Sequence, residues 1–192
     1  MTGKNSESRY FLAIVPPEPV YGEAQALKQH FKDRYNSKAA LNSPPHITLH
    51  MPFTWRTHRE AELMARLGYF AGTQNTLKIK LNNFSAFEPR VIFIDILKNE
   101  RLELLQKQLK RFCKIELNLF NADYKELAFH PHITLAFRDL KKTAFYKARE
   151  EFKNRRFEAT FAADSMVLLK HDGKMWKTFK TCYFSQNDPL AM

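Results

Sequence analysis

Apolar positions along this chain switch between two periods, and the switches mark its elements. Tyr10–Val15 is continuously apolar, the pattern of a strand buried on both faces, and it stops at Pro16-Pro17. Pro19 then opens a helix predicted over roughly 20 to 35, with Ala24, Leu27 and Phe31 at helical spacing. Asn42-Ser43-Pro44-Pro45 reads as a turn before a strand near 46 to 53. A second helix is expected over about 57 to 71, with Ala61, Met64, Ala65 and Leu67 inward. Two strands, near 76 to 84 and 90 to 97, follow around Glu88-Pro89. Leu102, Leu105, Leu109 and Phe112 then recur on one face of a third helix. After a loop through Asn121-Ala122-Asp123, Pro131 introduces a strand near 132 to 138, and a basic amphipathic helix covers about 141 to 154. The end reads as strands 157 to 162, 165 to 171 and 175 to 185, the last two joined at Asp172-Gly173-Lys174.

This order contains a weak repeat, a Pro-introduced strand followed by a helix, around residues 46 and 132. The expected class is therefore α+β, with two pseudo-symmetric antiparallel sheets, flanked by helices, on either side of a central groove. All 192 residues are read as one domain of two intertwined lobes. The apolar runs are too short to cross a bilayer, and no secretory core precedes Pro16, so a cytoplasmic protein is expected. The five Gly stand at 3, 22, 68, 72 and 173, where they assemble neither a Walker loop nor a dinucleotide-binding turn. Cys113 and Cys182 lack C-x-x-C spacing and read as reduced packing residues. A net charge of +11 is concentrated late in the chain: residues 138 to 180 hold twelve Lys/Arg against six Asp/Glu. Such a surface favours polyanions, although solvated lysines give the same pattern.

The repeat carries an identical pentapeptide, Pro45-His46-Ile47-Thr48-Leu49 and Pro131-His132-Ile133-Thr134-Leu135. In a strand of period two His46 and Thr48 share one face, while Ile47, Leu49, Met51 and Phe53 share the other. In the second copy His132, Thr134 and, by parity, Arg138 project together. If the strands lie side by side, two imidazoles and two hydroxyls converge. That set suits metal-free transfer at a phosphodiester: one imidazole takes a proton, the imidazolium gives one to the departing oxygen, and hydroxyls and Arg138 bind phosphate oxygens.

The paired PHITL segments resemble the two H-x-[ST]-x motifs of the two-histidine (2H) phosphoesterase superfamily, which includes bacterial RNA 2',3'-cyclic phosphodiesterases also called 2'-5' RNA ligases. The 86-residue separation of the motif histidines and the opening YFLAIVPP are similar to that family as well. The resemblance implies His46 and His132 as the catalytic pair, Thr48 and Thr134 as phosphate ligands, an active site between lobes, and no metal or other cofactor. It implies opening of 2',3'-cyclic phosphates on RNA ends or nucleotides, with 2'-5' linkage chemistry in some members. Several members carry a basic residue directly after the stretch corresponding to HITLA, where this chain has Phe137 and places Arg138 one position later.

Tyr10, Lys170 and Trp176 are candidates for substrate binding: the aromatics as platforms for a base, the lysine as a phosphate contact. The expected partner is RNA or a nucleotide, with no membrane, and the expected state is a monomer. Two competing readings are a non-catalytic RNA- or nucleotide-binding module and a His-rich metalloenzyme. The second arises because His50 by parity shares a strand face with His46, and His130 with His132. No Asp, Glu or Cys lies in either motif, so His50 and His130 are read as rim residues.

Overall fold

The computed structural model describes residues 6–120 and 128–185, so the predicted loop at Asn121 to Asp123 lies outside the described residues. The elements follow as β1 (Glu7–Ile14), α1 (Val20–Tyr35), β2 (Ile47–Arg56), α2 (Glu60–Gly72), β3 (Leu77–Phe87), β4 (Val91–Ile96), α3 (Glu100–Glu116), β5 (His132–Ala136), α4 (Lys142–Phe152), β6 (Glu158–Ala163), β7 (Ser165–His171) and β8 (Trp176–Tyr183). No helix among the described residues is long and apolar enough to cross a membrane.

The expectation of two sheets is corrected. All eight strands join one antiparallel sheet in the order β6-β3-β4-β5-β2-β1-β7-β8, because β2 and β5 pair directly at Ile47 and Ile133. Read outward from that central pair, β2-β1-β7-β8 mirrors β5-β4-β3-β6. The C-terminal strands β7 and β8 thus complete the half begun by β1, since β7 pairs with β1. A bridge from Asn75, before β3, to Ser185, after β8, links the outer parts of the two halves.

The helices α1 to α4 send their apolar stripes to one face of the sheet. Phe31 of α1, Leu67 of α2, Leu105 of α3 and Phe145 of α4 join Leu12, Ile14, Ile47, Ile94 and Ile133 in one buried cluster. Leu102, Leu105 and Leu109 of α3 are buried as its periodicity predicts, with Cys113 rather than the partly buried Phe112 completing the stripe, and the helix is capped by the Asn99 side chain, which accepts from the Leu102 amide at 3.1 Å. The inner face of α2 is rotated from the expected one. Leu63, Leu67, Phe70 and Ala71 are buried while Ala61 and Ala65 are exposed, because the bulkier side chains win the buried positions. The sheet face turned away from the helices carries a smaller cluster, Phe11, Ala13, Val167 and Leu169, with Trp176 and Val15 packed against it.

Candidate active site

The register of the central pair brings the two pentapeptides together. With Ile47 opposite Ile133 in an antiparallel pair, His46 lies across from Thr134 and Thr48 across from His132. Ile47 and Ile133 point into the helix-side core, so the four polar residues occupy the opposite face, where Thr48 faces Ala13 and Thr134 faces Phe93.

Each imidazole is held in the same way. The His46 Nδ1–H donates to the Pro44 carbonyl at 2.7 Å, and the His132 Nδ1–H donates to the His130 carbonyl at 2.8 Å. A carbonyl only accepts, so the proton of each neutral ring sits on Nδ1 and the Nε2 lone pair is left for chemistry. Desolvation lowers both imidazoles from the usual histidine value. His46 falls to about 4, with the Lys28 charge adding to burial and the Pro44 carbonyl opposing it. His132 is lowered chiefly by burial, to which the His130 side-chain charge adds, while the His130 carbonyl and the Asp95 carboxylate act in the opposite direction.

The loop ahead of His46 is fastened twice. Lys28 of α1 is buried, and its Nζ donates to the carbonyls of Ala40 and Ser43, each at 3.0 Å. Burial pulls this ammonium down to about 7. Asp139, just beyond β5, accepts from the Ser37 hydroxyl at 2.7 Å and from the Lys38 and Ala39 amides at 2.8 Å. The segment following the second motif therefore anchors the loop that delivers the first. Neither residue stands out in the sequence: Lys28 lies on a polar-looking helix, and Asp139 acts across about a hundred residues. The position of Lys28 beside Leu27 and Phe31 is the one available hint.

Aromatic rings flank both histidines. Phe11 packs on His46 with centroids 4.9 Å apart, and Trp176 packs on Phe11 at 4.7 Å. On the other side Phe93 packs on His132 at 4.6 Å and Phe87 at 5.2 Å. Phe11 and Phe93 belong to strands apolar on both faces, where period two is silent, so the sequence does not single them out.

Trp176 thus reaches His46 through Phe11, whereas Tyr10 and Lys170 lie elsewhere. Tyr10 is fully buried on the helix side, its hydroxyl donating to Glu60 Oε1 at 2.5 Å, and Lys170 Nζ reaches the same oxygen at 2.8 Å. The expectation that Tyr10 offers a face to a base is corrected: its ring is enclosed by Phe53, Phe179 and the Lys170 ammonium. Lys170 is correspondingly engaged by a carboxylate inside the fold. Arg138 also departs from its expected geometry. β5 ends at Ala136, and Arg138 sits in the following turn with its guanidinium carbon 4.7 Å from the Phe137 ring centroid.

His50 is corrected from rim to core. Bulges in the β1–β2 pairing put His50 opposite Leu12, reversing the parity beyond Thr48, and the ring is buried against Phe53 with Nδ1 bonded to the Met51 carbonyl at 2.9 Å. The His130 side chain is half-exposed, and its Nε2 lies 3.2 Å from Asp95 Oδ1. Among the described residues no three His, Cys, Asp or Glu side chains gather as a metal site.

Known proteins resemble the chain in sequence and fold. A protein of Geobacillus sp. (strain WCH70) named "Putative phosphoesterase" is 28% identical over 177 residues, covering 90% of this chain and 94% of its own. A similarly named protein of Geobacillus kaustophilus is 29% identical over the same length, with the same coverage of both chains. Among solved structures, Escherichia coli LigT complexed with 3'-AMP superposes with a TM-score of 0.65 at 19% identity, over 94% of this chain and 100% of LigT. TT0787 of Thermus thermophilus gives 0.64 at 19% identity, again over 94% of this chain and 100% of its own. The profile of the 2'-5' RNA ligase superfamily matches residues 16–175, and with both of its PHITL segments on the central strand pair of this sheet, the chain belongs to that superfamily of phosphoesterases.

Proposed function

We propose that the chain is a metal-independent phosphodiesterase that opens 2',3'-cyclic phosphates at RNA ends or on nucleotides, with His46 and His132 as its acid–base pair. The observation that carries this reading is the matched pair of imidazoles, each fixed through Nδ1 and each facing the other motif's threonine. Structures of LigT with 3'-AMP, ATP and NADP+ support a nucleotide-sized ligand.

The surroundings of the two rings divide the roles. Lys28 opposes a positive charge on His46, so the neutral ring takes the proton of the attacking water. On His132 the His130 carbonyl and the Asp95 carboxylate favour a positive charge against burial and the His130 side-chain charge, and we assign to this ring the proton given to the departing ribose oxygen. The water oxygen bonds to phosphorus, one bond from phosphorus to a ribose oxygen breaks, and the product is a ring-opened monoester. Thr48 and Thr134 donate to the non-bridging oxygens, where transition-state charge resides. Once product leaves, transfer of a proton from His46 to His132 through solvent restores the starting state.

Phosphorus NMR of the protein with 2',3'-cyclic nucleotides and with RNA ending in a 2',3'-cyclic phosphate, in EDTA, tests the reading. The expected result is a monoester formed by wild type and lost, by about 10²- to 10⁴-fold in rate, in His46→Ala and in His132→Ala. Turnover unaffected by either substitution overturns it, as does activity abolished by EDTA and restored by metal. Salt-sensitive RNA binding without turnover moves the assignment to a binding module.

A further inference from the structure

The two ends of the aromatic ladder differ in charge, and the difference is informative. On β1 the positions Arg9, Phe11 and Ala13 alternate onto the face that carries His46 and Thr48. From His46 the contacts run outward through Phe11 to Trp176 and then to His171, whose ring centroid is 4.9 Å from that of Trp176. Arg9 closes the ladder. Its Nη2 lies 3.0 Å from His171 Nδ1 and 3.3 Å from Nε2, and its guanidinium carbon is 5.7 Å from the Trp176 centroid.

Among the described residues no carboxylate pairs with Arg9, although the charged surface elsewhere in this chain is laced with ion pairs. The hairpin's own acid, Asp172, is held by Lys177 at 2.8 Å and by the Lys174 and Met175 amides. Arg9 is exposed and Trp176 is partly so. The His132 side instead ends in Phe87, His130 and the Asp95 carboxylate, which repels an incoming phosphate. A cation without a carboxylate partner beside a partly exposed aromatic ring is the combination that binds single-stranded nucleic acid, by phosphate contact and base stacking together.

We infer that Arg9, His171 and Trp176 form a second subsite, one ring outward from His46 through Phe11, which holds the nucleotide adjoining the reacting phosphodiester and makes single-stranded RNA of two or more nucleotides the preferred substrate class. At a strand rise of about 3.3 Å per residue, Arg9 lies about 13 Å along β1 from Ala13, beyond the reacting ribose and toward a neighbouring phosphate. The inference rests on the proposed phosphodiesterase reading, and its test separates the two.

Steady-state kinetics on adenosine 2',3'-cyclic phosphate and on the dinucleotide ApA ending in a 2',3'-cyclic phosphate are compared for wild type, Arg9→Gln and Trp176→Ala. Wild type is expected to favour the dinucleotide by about tenfold in kcat/KM, expressed in KM, the low end for one stacked base. In both variants the ratio falls toward one, and in wild type it shrinks as salt rises. A ratio near one in wild type, or a ratio unchanged in Arg9→Gln, overturns the subsite while leaving the phosphodiesterase reading intact. If wild type turns over neither compound, that reading fails, and tryptophan fluorescence titration with AMP and with 5'-phosphorylated ApA decides the subsite. Tighter dinucleotide binding that Arg9→Gln abolishes supports it, and equal binding overturns it.

Discussion

The two halves of the sheet present the same pentapeptide to the same face, yet they surround it differently. In the half built by β2, β1, β7 and β8, the imidazole of His46 sits near a buried ammonium, and the loop before it is tied down by Lys28 and Asp139. In the half built by β5, β4, β3 and β6, His132 sits beside a half-exposed His130 held by Asp95. A duplicated motif therefore does not give duplicated surroundings. Burial lowers both rings, with the Lys28 charge acting on His46 and the His130 and Asp95 charges acting in opposite senses on His132, an asymmetry that the proposed acid–base pair would use.

The largest expected break in this comparison comes from removing what the halves share. Thr48→Val and Thr134→Val keep strand shape but delete a hydroxyl, and each is expected to lower kcat about 10²-fold, with circular dichroism unchanged. A change below about threefold in both would remove the threonines from the phosphate site.

Cutting the tie between the halves comes next. Asp139→Ala leaves the Ser37 hydroxyl and two amides without their acceptor, which costs about 1–3 kcal/mol, and it loosens the loop ahead of His46. Urea denaturation is expected to show a lower midpoint with an unchanged slope, together with a kcat reduced about tenfold. Lost stability with full kcat would make the tie purely structural.

Lys28→Met tests the asymmetry itself. Without the nearby charge His46 binds its proton more readily, so the acid limb of kcat/KM moves to higher pH, by up to about one unit. The same variant changes stability. A lysine lowered from 10.5 to about 7 on folding binds fewer protons folded than unfolded between those values, so stability there rises with pH. Lys28→Met is expected to flatten that rise and to be relatively most stabilising below pH 7. A steeper rise in the variant would contradict the buried, destabilised charge.

The smallest effect is expected from Asp95→Asn. The Asp95 charge is the last of the influences on His132, so its removal moves the basic limb only slightly, to lower pH. Movement of the acid limb to lower pH, with the basic limb in place, would reverse the roles assigned to the two histidines.

Local patterns make much of this molecule legible in advance. The α3 stripe, the Gly173 hairpin and the strand entrances at Pro45 and Pro131 each depend on neighbouring residues alone, and they stand where periodicity and turn chemistry put them. The parity arguments last only as long as the strands are regular. Bulges turn His50 into the core, and the end of β5 at Ala136 releases Arg138 into a turn. Tyr10 and Lys170 escape sequence reasoning for a related reason. An aromatic and a lysine look available in sequence, and only a partner fifty or more residues away, Glu60, draws both inside.

By itself, then, the sequence determined most of the elements and the duplicated His-x-Thr face, since strand period and residue identity are local properties. Tertiary structure alone decided that the strands form one sheet rather than two, that a lysine on α1 and an aspartate after β5 fasten the loop before His46, and that Arg9 meets Trp176 while Asp95 meets His130. Those outcomes depend on register, bulges and burial between segments distant along the chain, where no local pattern records which partner is met.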